Sequence, residues 1–487
     1  MHSAPIVRRL PSHGRTAICL TGRSIATLTA AVLAISAPRE TRAQFSNFTP
    51  LTGSVIGGSR PEATPLLLSS PLFTQRTISA NDLGPLNGGI ALGANWDMNT
   101  LNENGPQAGR YLFTPYETGS AGVKRLDIIT LQSVNIVAPG TQGFVGGDAS
   151  RWTPWGTYLT AEESWSTGST KGRLFEVTNP LADPASVNFV ARGILPRVSH
   201  EGIVFDNQNN LYFVDEFSGG AIYKYTSTTP SGAGGAFFTA GQTFVLKVGD
   251  GSVFEGTGGA TWVPITDVNG APLPGISVLA SGGSIDGRAT ADAVGATNLN
   301  RPEDLEIQTL ADGTQRIYFG TTDTHKLFSL QVSNASGPTL PSLSIFVSQS
   351  TIDAATGLAV GNGFLNPDNV AIDAQGNIYF VEDIGSIASG GQGFDIWFAY
   401  DVDRNGVAEK IGRWASLSTV GSEPTGLYFS PFDPNVAYIN VQHTSSGIDR
   451  TILLTSVPEP STISLALLGL GLVGLAARRR QLHRQAA

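Results

Sequence analysis

Between residues 44 and 456, short apolar runs alternate with polar turn clusters, and no stretch sustains the 3.6-residue period of a long amphipathic helix. One pattern recurs instead. His200-Glu201-Gly202 opens the run 203–206, a turn follows at 207–210, and Leu211-Tyr212-Phe213-Val214 leads to Asp215-Glu216. Pro302-Glu303-Asp304 opens 305–308, with a turn near Asp312-Gly313 and a second run at Ile317-Tyr318-Phe319. Pro367-Asp368-Asn369 opens 370–373, turns at Gln375-Gly376-Asn377, and returns through Ile378-Tyr379-Phe380-Val381 to Glu382-Asp383. Glu423-Pro424-Thr425-Gly426 opens 427–429, turns at 433–435, and returns through Ala437-Tyr438-Ile439 to Gln442-His443. Two apolar runs around a turn read as a β-hairpin. The opening acid and the second-strand tyrosine are separated by 11, 15, 11 and 15 residues in turn. Looser relatives are Thr153–Thr160, ending at Glu162-Glu163, and Tyr111–Phe113, ending at Tyr116-Glu117.

A hairpin repeated at this scale predicts an all-β fold, a β-propeller of six blades, with a pair of β-sandwiches as the alternative. The 102 residues from Glu201 to Glu303 call for an insertion or unmarked blades. In an antiparallel hairpin the start of the first strand and the end of the second share one edge. A propeller gathers those edges around one mouth of its channel, which would bring Glu162, Glu163, Glu201, Glu303, Asp368 and Glu423 together. Carboxylates so crowded raise one another's pKa unless cations intervene. Calcium, with six to eight oxygen ligands, suits such a site. Taken singly, each acid is equally readable as a solvated strand cap. Asp215 and Glu382 follow their openers by 14 residues, and Asp323 and His443 by 20, as closing residues at the same edge.

Composition sharpens this picture. Of 487 residues, 58 are Gly and 28 Pro, and only 14% are charged, which favours turn-rich β-structure over helix. The formal charge of −9 averages opposites. The ends hold ten of the 30 basic residues and two of the 39 acidic ones, so the body 44–456 carries a net −17. That balance argues against a nucleic-acid partner. The one cysteine, Cys19, lies outside the body, so no disulfide framework or thiolate cluster is expected within it.

The ends read as addresses. Residues 1–43 have arginines at 8, 9, 15 and 23, an apolar stretch at 25–35 and a small-residue site at Thr41-Arg42-Ala43, the pattern of a signal peptide. Arg8-Arg9 leaves both general and twin-arginine export open. Residues 457–487 begin Val457-Pro458-Glu459-Pro460, continue into an apolar run at 463–477, and end in Arg478-Arg479-Arg480. The run predicts a short hydrophobic helix, below the length of about 20 residues that spans a bilayer. This tail resembles the PEP-CTERM sorting signal. The resemblance implies an exosortase-type processing enzyme as partner, secretion or envelope sorting, and membrane attachment only through this segment before processing.

The body motifs resemble the PhoX-type alkaline phosphatase family. They run in order from Thr153-Pro154-Trp155-Gly156-Thr157 and Glu162-Glu163 through His200-Glu201, Ala289–Asp304, Pro367-Asp368-Asn369 and Glu423-Pro424-Thr425-Gly426 to Gln442-His443. The resemblance implies a six-bladed propeller, a central iron–calcium site and hydrolysis of small phosphomonoesters. Glu201, Glu303, Asp368 and Glu423 match its metal-ligand acids, and Glu162 and Glu163 its acidic pair. Arg301 matches its phosphate-contacting arginine, a role that suits a guanidinium, with a salt bridge to Glu303 or Asp304 as the plainer reading. The family's iron-ligating cysteine is replaced here by Asp148. A carboxylate for a thiolate shifts the site toward Ca2+ and away from Fe3+.

Three histidines lie in the body. His200 and His443, at hairpin edges, are candidates to orient substrate or protonate a leaving group, and His325 is a weaker one. Asp401-Val402-Asp403-Arg404-Asn405-Gly406 matches half of an EF-hand loop, but its twelfth position is Gly412, so a hairpin turn is expected. Trp152, Trp155 and Trp165 are read as blade packing. The leading functional expectation is a secreted, metal-dependent phosphoric monoester hydrolase. The alternative is a non-catalytic, calcium-stabilised propeller of the extracellular matrix or cell envelope. A lactonase-type propeller ranks last.

Overall fold

A computed structural model describes residues 45–82, 91–166, 169–279, 283–333 and 340–457. The leader 1–43 and the tail beyond Val457 lie outside the described residues, as does the short C-terminal helix expected there. Among the described residues, no helix is long and apolar enough to cross a membrane.

Among the described residues the chain is all-β apart from one α-helix, Gly287–Val294, and short 3-10 turns. Its strands form six antiparallel four-stranded meanders. The first comprises Thr100–Leu101, Tyr111–Pro115, Val123–Asp127 and Gln132–Val137, and the second Gly147–Trp152, Tyr158–Glu162, Leu174–Val177 and Phe189–Ala191. The third is Ile203–Phe205, Leu211–Val214, Ile222–Ser227 and Gly241–Val248, and the fourth Pro302–Thr309, Gln315–Thr321, Lys326–Ser333 and Ser342–Val347. The fifth is Pro367–Ile372, Ile378–Glu382, Phe394–Tyr400 and Lys410–Leu417. In the sixth, Glu423–Phe429, Val436–Gln442 and Arg450–Ser456 are completed by Phe73–Ala80 from the other end of the body, with Phe73 opposite Ser456 and Ala80 opposite Arg450.

The four hairpins read from the sequence are the inner strands of meanders three to six. Two of their turns share one device. Asp206 accepts from the Asn210 amide N–H and side chain and from Tyr212 Oη at 3.0 Å. Asp373 accepts in the same way from Asn377 and from Tyr379 Oη at 3.1 Å. Each Asp thereby fixes both the turn and the second strand's register.

Six apolar clusters join successive meanders around a ring. Phe113, Trp152 and Tyr158 pack between the first and second, and Tyr379, Trp414 and Phe429 between the fifth and sixth. Leu101, Leu112 and Tyr438 join the sixth to the first. The arrangement is propeller-like, but the expectation of six separate blades needs correction. Four sheets are discrete, whereas meanders three and four fuse into one nine-stranded sheet. The cause is the strand Gly258–Pro264. It extends the third meander by pairing Ala260 with Val248, then reaches Ser342 and Leu343 of the fourth. Among the described residues, the long Glu201–Glu303 interval is thus the third meander plus this strand, the helix and the short pair Ser218–Gly220 with Leu299–Asn300, and holds no unmarked blade.

Candidate metal centre

The mouth of the ring is built by repetition. A residue one or two positions after a second strand donates its N–H to the carbonyl two residues before that meander's opening acid. Glu117 bonds Asn95, Glu163 bonds Gly146, Glu216 bonds Ser199 and Asp383 bonds Asn366, all at 2.8–2.9 Å. Five of the six positions two before an opener, Asn95, Gly146, Arg301, Asn366 and Gly421, have positive φ. The chain therefore turns sharply into each inner strand, and the openers point into the channel. Close approach is enforced at Gly202, where a Cβ would sit 1.9 Å from Leu305 N, and at Gly426 (φ +58), where it would meet Asp97 O at 2.6 Å. These glycines are the ones in the His-Glu-Gly and Glu-Pro-Thr-Gly motifs.

The result is a cavity of about 190 Å3 lined by ten carboxylates. All six openers line it: Asp97, Asp148, Glu201, Glu303, Asp368 and Glu423. Second-strand ends add Glu117, Glu163, Glu216, Asp383, Thr322, Gln442 and His443, and Arg301 completes the wall. Ligand atoms of Glu201, Glu303 and Asp368 lie within 4.8 Å of one another, as do those of Glu117, Glu423 and His443. Burial, and then the neighbouring carboxylates, push Glu201, Asp148, Asp368, Glu303, Glu163 and Glu423 well above the usual carboxylate range. Burial and Glu117 raise Asp97 to about 7. Glu201 Oε2 is buried and has no hydrogen-bond partner.

Eight of the residues singled out in the sequence line this cavity: Asp148, Glu163, Glu201, Glu303, Asp368, Glu423, Arg301 and His443. Two do not. Glu162 turns away into the blade, where Arg173 binds it through Nε at 2.9 Å and Nη2 at 2.5 Å. His200 is fully buried against Phe213, with both ring nitrogens unpartnered, and burial lowers its pKa to about 3. A neutral ring closed off from the cavity cannot shuttle protons there.

The closing acids need the same correction. Asp215 is held by Arg288 of the helix at 2.7 and 2.8 Å, and Glu382 accepts from the Leu365 and Asp395 amides. In each case the following residue, Glu216 or Asp383, faces the cavity. Successive strand residues alternate in direction, so in each acidic pair the first anchors the blade and the second faces the channel. That alternation was a usable sequence signal for Glu117, Glu216 and Asp383. Asp97 carried none, because its first strand is only two residues long.

Arg301 donates from Nε and Nη2 to Glu216 at 2.9 and 2.6 Å and lies 3.4 Å from Glu303. The salt bridge expected to Glu303 or Asp304 is thus corrected: Arg301 pairs mainly with Glu216, with Glu303 a longer contact. His443 Nε2 lies 3.2 Å from Glu117 and 3.4 Å from Glu423, and the Glu117 hydrogen bond raises its pKa. His325 Nδ1 accepts from the Asn366 N–H and does not line the cavity. Asp401 accepts from the Asn405 and Gly406 amides, as in a turn. Trp155 stacks on Phe237 and Trp152 packs on Phe113, both as blade filling.

Fold and site define a propeller-like protein with an acidic, oxygen-rich channel mouth. A family profile described as alkaline phosphatase PhoX matches residues 146–445, and the chain belongs to that family. A second profile, the PEP-CTERM protein-sorting motif, matches residues 456–480 and marks an exported, envelope-sorted protein. No curated protein matches the sequence. Among solved structures, a streptogramin B lyase is 10% identical with a TM-score of 0.38, over 79% of this chain and 98% of its own. A Bacteroides thetaiotaomicron protein of unknown function is 12% identical with a TM-score of 0.41, over 78% and 76%. A gluconolactonase-like structure is 11% identical with a TM-score of 0.38, over 82% and 98%. Likeness at this level carries no functional argument.

Proposed function

We propose that the acidic mouth holds hard divalent cations, calcium foremost, and hydrolyses small phosphomonoesters outside the cytoplasm. The observation that carries this reading is the convergence of Glu201, Glu303 and Asp368 around the unpartnered, buried Glu201 Oε2, within the segment that matches the phosphatase family. The donor set fits such cations: every acid is an oxygen ligand, and Asp148 supplies a carboxylate where the family has a thiolate. Iron held by carboxylates is the second choice.

Glu201, Glu303 and Asp368 would form one cation site, with Asp148, Glu163 and Asp97 beside it. Glu117 and Glu423 would hold another next to His443. Bound cations would polarise phosphoryl oxygens and stabilise the leaving oxygen. Arg301 Nη1 makes no bond to Glu216, lies 3.8 Å from the half-exposed Asp323 carboxylate, and would bind phosphate oxygens there. His443, partly exposed and with its pKa raised by the Glu117 hydrogen bond, would donate a proton to the departing alkoxide.

The alternative, a calcium-stabilised propeller without catalysis, is favoured by Asp148 and by the Arg301–Glu216 pairing, which competes with phosphate. Turnover of p-nitrophenyl phosphate by the purified protein, with and without added calcium and iron, separates the two. Bound cations with no turnover under any condition would leave only the alternative.

A further inference from the structure

We infer that, while the sorting tail still tethers the chain, the face opposite the acidic mouth lies against the lipid surface and the mouth opens away from it. The last strand, Arg450–Ser456, starts at the mouth, where Arg450 pairs with Val441 beside the cavity-lining Gln442. It ends at the far face, where Thr455 pairs with Val436 and Val457 N bonds Leu72 O. The tail therefore leaves from the far face. A seven-residue strand rises about 20 Å, which separates the tail's exit from the mouth. Five residues, 458–462, connect Val457 to the apolar run, and even fully extended they reach only about 17 Å. That is too short to climb back along the blade and turn the mouth to the membrane.

Two further features agree. The body also begins toward the far face, since Ser46 donates to Gln375 in the turn after Pro367–Ile372. Exposed apolar side chains tip the far-face turns next to the exit: Phe432 in the sixth meander, Ile129 in the adjoining first, and Val457 itself. Apolar tips of this kind seat at a lipid interface at low cost.

The test uses the full chain reconstituted through its tail into phosphatidylethanolamine–phosphatidylglycerol vesicles containing a headgroup quencher. The body has no cysteine, and with Cys19→Ser in the leader, single variants report cleanly. Ile129→Cys and Ser120→Cys lie at opposite ends of one strand, Val123–Asp127, and Phe432→Cys gives a second far-face position. With a fluorophore on each, quenching several-fold stronger at 129 and 432 than at 120 is expected, and its loss when the chain stops at Val457. Equal or stronger quenching at 120 would overturn the inference. So would quenching at 129 that survives removal of the tail. Neither result depends on phosphatase activity.

Discussion

Glu162 and Glu163 are consecutive in the chain and opposite in role: Glu162 closes a bidentate ion pair with Arg173 inside the blade, and Glu163 lines the central cavity. Substitution should separate them. Glu162→Gln strands a mostly buried guanidinium and should cost about 3 kcal/mol of stability while leaving cation content unchanged. Glu163→Gln removes one of several crowded like charges. It should leave the metal-free protein equally or more stable and weaken cation binding. Melting temperatures and calcium titrations of both variants check this.

Much of this centre was legible in the sequence because it is made by repetition. Openers Glu201, Glu303, Asp368 and Glu423 sit at fixed positions before an apolar run, and hairpin geometry alone sends them to one edge. What the sequence hid was local direction. Nothing in Glu162-Glu163 says which acid points inward until the pleat of Tyr158–Glu162 is placed. His200 looked like a site residue because it adjoins Glu201, yet the same alternation buries it behind Phe213. Ring closure by Phe73–Ala80 depends on a pairing across almost the whole chain, which local patterns do not carry.

The acidic mouth should make metal-free stability fall as pH rises. Folding raises the pKa of Asp97 from 3.8 to about 7, and lifts Glu201, Asp148 and Asp368 well above the usual carboxylate range, by burial first and neighbouring charge second. Groups raised in the folded state favour it below their unfolded pKa, and this advantage is lost as pH climbs through the folded value. In chelator, the melting temperature should therefore drop from about pH 4 through pH 7 and above. Calcium binds the ionised form, so added calcium should restore stability strongly at pH 8 and little at pH 5. A flat chelator profile would contradict the crowding.

His200 predicts the opposite slope on the acid side. Its pKa falls from 6.5 to about 3 on folding, because burial disfavours the charged ring. Stability from this group is present above pH 6.5 and is lost as pH falls toward 3. His200→Phe should remove that acid-side loss and leave turnover at pH 8 unchanged. Denaturant melts at pH 4 and pH 8 measure the first, and a phosphatase assay the second. A variant that lost turnover while folded would restore His200 to the site.

Arg301 separates catalysis from cation binding. Arg301→Ala should abolish most p-nitrophenyl phosphate turnover with calcium still bound, because its own hydrogen bonds run to Glu216 and it supplies no metal ligand. Arg301→Lys should recover little, since an ammonium cannot bind phosphate in the same two-pronged way. Turnover that is unaffected by Arg301→Ala would remove this residue from the reaction.

The central claim is that the ring's acidic mouth is a cation centre, and elemental analysis of the purified protein, dialysed without chelator, tests it most directly. Wild type should retain calcium, and the double variant Glu201→Gln, Asp368→Asn should lose it while keeping its β-sheet circular dichroism. A folded wild-type protein that retains no calcium, iron or other divalent cation, and is not stabilised by adding one, would contradict the account.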